Sequence, residues 1–182
     1  MTVFNSFLSD HLFGTDPVDA LLLIRDIHNP VDSFTDKQLT ALGGEQYLRQ
    51  LNEMLAKRHK NQSVFIVKKQ EDQPQKTMFR DVIFSFRLNE STPLHTPILK
   101  GLIAAKKAGY SKIALPLCNL GTLTPNTVKK SIFPNIASAV WEIKAAFDEY
   151  RDRSDLIVHV LTGQDNLYYY VTSTLRQPPN LG

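Results

Sequence analysis

The stretch SKIALPLCNLGTLTP, residues 111–125, changes character abruptly at Pro116. An apolar run with the composition of a buried strand gives way to Cys118, Asn119, Leu120, Gly121, Thr122, Leu123 and Thr124. A pyrophosphate needs several backbone N–H groups turned inward with no side chain blocking its approach. Gly121 permits the positive φ and close backbone approach that such a cradle uses, and Thr122 and Thr124 add hydroxyl donors. A plain strand-to-helix turn would use a glycine in the same place, so two accounts of the loop stand side by side.

Other residues can be weighed in the same way. Gly43 and Gly44, ahead of a helical pattern, could expose amides to a phosphate or could simply make a flexible helix entry. Asn29 could hydrogen-bond a ribose hydroxyl or orient a water, although the sequence HNP around it is also ordinary turn chemistry. The five histidines, His11, His28, His59, His95 and His159, have no i, i+4 pairing and no carboxylate at ligand spacing, so no metal site is read. Within a strand pattern, His159 reads as structural. Cys118 has no histidine or basic activator near it in sequence and reads as a small packing residue.

These residues need elements to hold them. VDALLLIRD, residues 18–26, is a continuous apolar run with charged ends, as in a strand buried on both faces. Leu48, Leu51 and Leu55 share a helical spacing after a polar connection. SVFIVKK and DVIFSFRL are two strands joined through an exposed turn, QEDQPQK. In TPILKGLIAAKKAGY a helix is expected with Thr96 as N-cap, Pro97 at its first position, a face of Ile98, Leu99, Leu102 and Ile103, and a stop at Gly109. A strand KIALPL follows, then the loop. Next comes a long helix with Ile136, Val140, Ile143 and Phe147 on one stripe and Pro134 in its first turn. A strand DLIVHVL and a closing helix QDNLYYYVTSTL complete the order. Alternation of strand and helix in the C-terminal half predicts a mainly parallel sheet covered on both faces, with ligands bound beyond the carboxyl ends of the strands.

Bulk properties narrow the classes. The 182 residues carry 42% hydrophobic and 21% charged residues, the balance of a globular domain with a substantial core. A formal charge of +3 permits an anionic ligand but gives no nucleic-acid footprint, since the basic runs AKRHK and VKK fall at a helix end and a strand end. One cysteine excludes an internal disulfide and fits a reducing, cytoplasmic setting. The N-terminus has no basic n-region, and the longest clean apolar run, ALLLI, is too short to span a bilayer.

Residues 98–121, ILKGLIAAKKAGYSKIALPLCNLG, resemble the macro domain family of ADP-ribose-recognising modules. Ala108, Gly109, Ser111, Ile113, Ala114, Pro116 and Gly121 fit the family's sequence of helix, glycine turn, strand and phosphate loop in order. Upstream, VDALLLIRDIHNP looks like a divergent form of the family's asparagine-ending strand. The glycine run is reduced to Gly43–Gly44 and stands fourteen residues beyond Asn29, farther than the pattern places it.

The resemblance implies a single three-layer α/β/α domain over residues 1–182, its mixed sheet mostly parallel and its tail frayed from 176. It implies binding of ADP-ribose or a related nucleotide diphosphate, free or on an ADP-ribosylated protein, without a further cofactor and with weak ADP-ribosyl hydrolysis within the family's range. Cys118 to Leu123 would hold the pyrophosphate, with Asn29, Gly43 and Gly44 near the distal ribose. Asp10 would meet the adenine, and one of Tyr168, Tyr169 and Tyr170 could stack on it. The alternative is an interaction scaffold in which Leu120 and Leu123 fill the phosphate space and a protein partner replaces the nucleotide.

Overall fold

The computed structural model describes residues 1–9, 11, 13–71, 78–89, 91–117, 133–163 and 165–178. Six strands form one sheet: β1 (Val3–Leu8), β2 (Val18–Asp26), β3 (Val64–Val67), β4 (Phe79–Arg87), β5 (Lys112–Pro116) and β6 (Ile157–Thr162). Among the described residues five helices accompany them: α1 (Ser33–Gly43), α2 (Gln46–Ala56), α3 (His95–Lys107), α4 (Phe133–Tyr150) and α5 (Asp165–Leu175). The spatial order is β1-β6-β5-β2-β4-β3, parallel throughout except for the β3–β4 pair. The sheet is therefore mixed and mostly parallel, as the sequence pattern predicts.

Two cores follow from the alternation of side chains along the strands. Ala20, Leu22 and Ile24 of β2 belong to one core with Ile98 and Leu102 of α3, Ile143 and Phe147 of α4 and Val171 of α5. Leu21 and Leu23 face the other way, onto Leu39 of α1 and Tyr47 and Leu51 of α2. Because β2 is central, both its faces are buried, which is why its sequence is an unbroken apolar run rather than an alternating one. The result is three layers, helix–sheet–helix.

Several local expectations change. The connection after β2 is not polar coil but α1, which presents only Thr35 and Leu39 to the core and leaves Phe34 and Leu42 largely exposed. The helix has no apolar stripe, so periodicity misses it; Asp32 starts it instead, its carboxylate accepting the Thr35 N–H at 3.3 Å. α3 begins at His95, one residue before the expected cap, so Thr96 lies inside its first turn. The preceding Leu94 N–H is satisfied by Glu142 Oε2 at 2.7 Å, a tertiary partner that no local pattern reveals. Ile103 is exposed, and Ala105 replaces it on the buried face. Gly109 does end the helix, at φ 85°. No strand pattern marks β1 in the sequence; it adds to β6 as an edge strand.

Candidate functional site

Five parallel strands place their carboxyl ends along one edge of the sheet, at Leu8, Thr162, Pro116, Asp26 and Arg87. From β2 the chain passes over one face, through α1 and α2, toward β3 and β4. From β5 it passes over the opposite face, through α4, toward β6. Between β2 and β5 the connections diverge, and the crevice outside the carboxyl ends at such a switch point is where open α/β sheets bind ligands. The candidate site is this crevice.

Asn29 stands on one wall. The chain turns back after β2, with the Asn29 N–H donating to the Asp26 carbonyl at 3.2 Å. Its side chain is exposed and has no hydrogen-bond partner among the described residues. The turn is fastened from below by Arg25, buried on the α1 face, whose Nη1 donates to the Pro30 carbonyl at 3.0 Å and Nη2 to Thr35 Oγ1 at 3.0 Å. Arg25 Nη2 also lies 2.6 Å from Asp36 Oδ1. That contact is ionic rather than an aligned hydrogen bond, because Asp36 Oδ1 has no partner in hydrogen-bonding geometry. On the other face, Arg87 grips Asp26 with two bonds, Nε to Oδ1 at 2.6 Å and Nη2 to Oδ2 at 3.1 Å. Both arginines are thus neutralised, and an anion in the crevice would depend chiefly on backbone amides.

The opposite wall is the exit from β5. Leu117 is buried and its N–H donates to the Leu161 carbonyl at 2.9 Å, which fixes where the following loop departs. Cys118, Asn119, Leu120, Gly121, Thr122 and Leu123 lie outside the described residues, as do Thr124 and Asp10.

Gly43 and Gly44 are not brought to Asn29. α1 carries the chain from the carboxyl edge to the amino edge, about 16 Å for eleven residues. There a Cβ on Gly43 would lie 2.5 Å from Tyr47 Cε2, and the Tyr47 hydroxyl donates to the Arg80 carbonyl at 2.5 Å, at the start of β4. The Gly44 N–H is already bonded, to the Thr40 carbonyl at 2.9 Å. These glycines turn one helix into the next, at the end of the sheet opposite Asn29.

That amino edge is tied shut. Asp19 Oδ2 accepts the N–H groups of Ser111 and Lys112 at 2.8 and 3.0 Å. Burial pushes the Asp19 carboxyl up, but these bonds more than offset it and hold it below the usual range. Buried Asp81 accepts from Lys69 N–H at 2.9 Å and from the Tyr110 hydroxyl at 2.6 Å. Burial, with Asp81 nearby, pushes Tyr47 up to about 12.

A small cavity of about 80 Å3 lies between β1, β6 and β5 and residues 13–16, with His159 in its wall. Its volume suits two or three waters rather than a nucleobase. His159 is 8% exposed and its ring lies 4.8 Å from that of Phe7. Burial, reinforced by Lys112 and opposed by Asp16, holds its pKa below the ordinary imidazole value. Tyr169 is exposed while Tyr168 and Tyr170 are half-buried, so the three do point to different surroundings. Among the described residues no cluster could hold a metal ion, and no helix is long and apolar enough to cross a membrane.

No family model and no curated protein matches this sequence. Solved structures do match it. The Oceanobacillus iheyensis macrodomain with ADP is similar at a TM-score of 0.63 and 15% identity, over 94% of this chain and 88% of that one. The macro domain of ganglioside induced differentiation associated protein 2 follows at 0.60 and 12%, over 95% and 84%. The Trypanosoma brucei macrodomain in complex with ADP matches at 0.57 and 14%, over 96% of this chain and 68% of that one. This chain has the macrodomain fold. The charged pairs Asp26–Arg87 and Arg25–Asp36 were missed by sequence reading, although each arginine ends an apolar strand, in LLLIRD and FSFR.

Proposed function

We propose that this chain binds ADP-ribose, or a closely related nucleotide diphosphate, in the crevice between β2 and β5. The observation that carries this reading is the switch point between β2 and β5 on a macrodomain fold, with Asn29 on one wall and the chain leaving β5 at buried Leu117 on the other. ADP in two macrodomains of similar fold supports a diphosphate ligand. The backbone of Cys118, Asn119, Leu120, Gly121, Thr122 and Leu123 would cradle the pyrophosphate. The free Asn29 amide would meet the distal ribose, and Asp10 the adenine. A protein bearing an ADP-ribosyl group would present the same chemistry.

Binding is favoured over hydrolysis. Of the described carboxylates on this edge, Asp26 and Asp36 are each engaged by an arginine, and Asp32 caps α1 by accepting the Thr35 N–H. Calorimetric titration with ADP-ribose, and with AMP and ribose 5-phosphate as comparisons, tests the reading. Selective binding of ADP-ribose is expected. Gly121→Glu should abolish it by placing an anion and a side chain in the cradle. Asn29→Ala should weaken it about tenfold, the worth of roughly one hydrogen bond. Wild-type affinity in Gly121→Glu would place the site elsewhere, and no heat with wild-type protein would end the nucleotide reading.

A further inference from the structure

β1 is an edge strand of six residues, VFNSFL, without charge, proline or glycine. Edge strands usually carry such features to prevent further pairing. The other edge does: β3 has only four residues and runs directly into Lys68 and Lys69. In the β1–β6 ladder the Val3 N–H donates to the Leu156 carbonyl and the Ser9 N–H to the Thr162 carbonyl. Odd-numbered residues therefore pair inward, and the N–H and C=O groups of Phe4, Ser6 and Leu8 point outward. Among the described residues these N–H groups have no partner.

Alongside this edge runs a groove of about 290 Å3. Residues 4–7 form one wall, and Tyr168, Thr172, Leu175 and Arg176 form the other. The spacing of those four is one face of a helix. Arg176 is exposed, with no ion pair or side-chain hydrogen bond among the described residues. The chain beyond α5 turns away toward α4, where Lys144 Nζ donates to the Pro178 carbonyl at 3.4 Å.

From this geometry we infer that the groove between β1 and α5 takes an extended peptide segment as a seventh strand, antiparallel to β1. α5 is antiparallel to β1, with Thr172 Oγ1 2.7 Å from Ser6 Oγ and Arg176 toward the Phe4 end. An antiparallel addition brings the carboxyl end of the segment to Arg176, so an acidic side chain or terminal carboxylate belongs there. Uncharged side chains belong opposite Tyr168 and Leu175. A second copy does not fit. Edge-to-edge strands lie about 4.8 Å apart, whereas α5 and its symmetry mate, each seated over its own β1, need about 8–10 Å. The inference stands whether or not the crevice holds a nucleotide.

The test uses a fluorescein-labelled hexapeptide of alternating threonine and valine ending in glutamate. Saturable anisotropy is expected, with slowed amide exchange at Phe4, Ser6 and Leu8. A copy N-methylated at alternate amides should bind at least about tenfold more weakly, and Arg176→Glu should cost about as much while favouring a lysine-ended copy. Equal binding of the N-methylated copy would overturn the inference, as would no binding at about 1 mM, displacement by ADP-ribose, or a concentration-dependent dimer that protects the same amides.

Discussion

Two side chains stand in opposite situations: Asn29, exposed and without a side-chain hydrogen bond among the described residues, and His159, buried against Phe7. The first is the side chain proposed to meet a ligand and the second packs in the fold, and pH separates them. The ordinary imidazole value is about 6.5, and burial holds His159 below it. The unfolded chain therefore binds a proton before the folded one does, and stability falls as pH drops through about 6.5 until the folded pKa is passed. His159→Phe keeps a ring against Phe7 and removes the titration. Urea unfolding at pH 7.5 and at pH 5 should show a smaller acid loss in that variant than in wild type. Equal losses would mean that other groups carry the acid sensitivity.

At the scale of elements, α1 decides which glycines can touch a ligand. Gly44 has φ 77° and ψ −177°, a conformation that is essentially glycine's alone. Gly44→Ala should therefore cost about 1–3 kcal/mol in urea unfolding. Its ADP-ribose affinity, measured on folded protein, should be unchanged, because the turn lies at the amino edge. A variant of normal stability that loses the nucleotide would restore the glycines to the site.

The same helix shows where sequence reading stops. β2, β4 and β6 are legible because burial on both faces writes a continuous apolar run. α4 is legible because Val140, Ile143 and Phe147 all face the core. α1 buries one leucine and one threonine and so leaves almost no pattern. β1 is obscured too, since its Val3 and Phe7 remain exposed on an uncovered part of the sheet face. In the candidate site, Asn29 and the exit at Leu117 follow from strand ends that the sequence marks. The ion pair of Asp26 with Arg87 depends on β2 and β4 being neighbours, which residues 61 apart in sequence do not announce.

For the whole molecule, the proposed nucleotide and peptide sites lie in two separate places, the carboxyl edge and the outer edge of β1. A ligand that binds only the folded state stabilises it by RT ln(1 + [L]/Kd), about 2.7 kcal/mol at a hundredfold excess over Kd. For a chain of this length each kcal/mol raises Tm by about 2–4 °C. ADP-ribose at that excess should thus raise Tm by about 5–11 °C. The residues proposed for the edge-strand peptide and those proposed for ADP-ribose at Asn29 and residues 118–123 do not overlap, so their stabilisations should add within about 0.5 kcal/mol. Differential scanning calorimetry with each ligand alone and with both together measures this. A joint shift no larger than the greater single one would mean that both ligands compete for one site. A joint shift well above the sum would mean that β1 and the crevice are coupled through β6, the strand that joins them in the sheet.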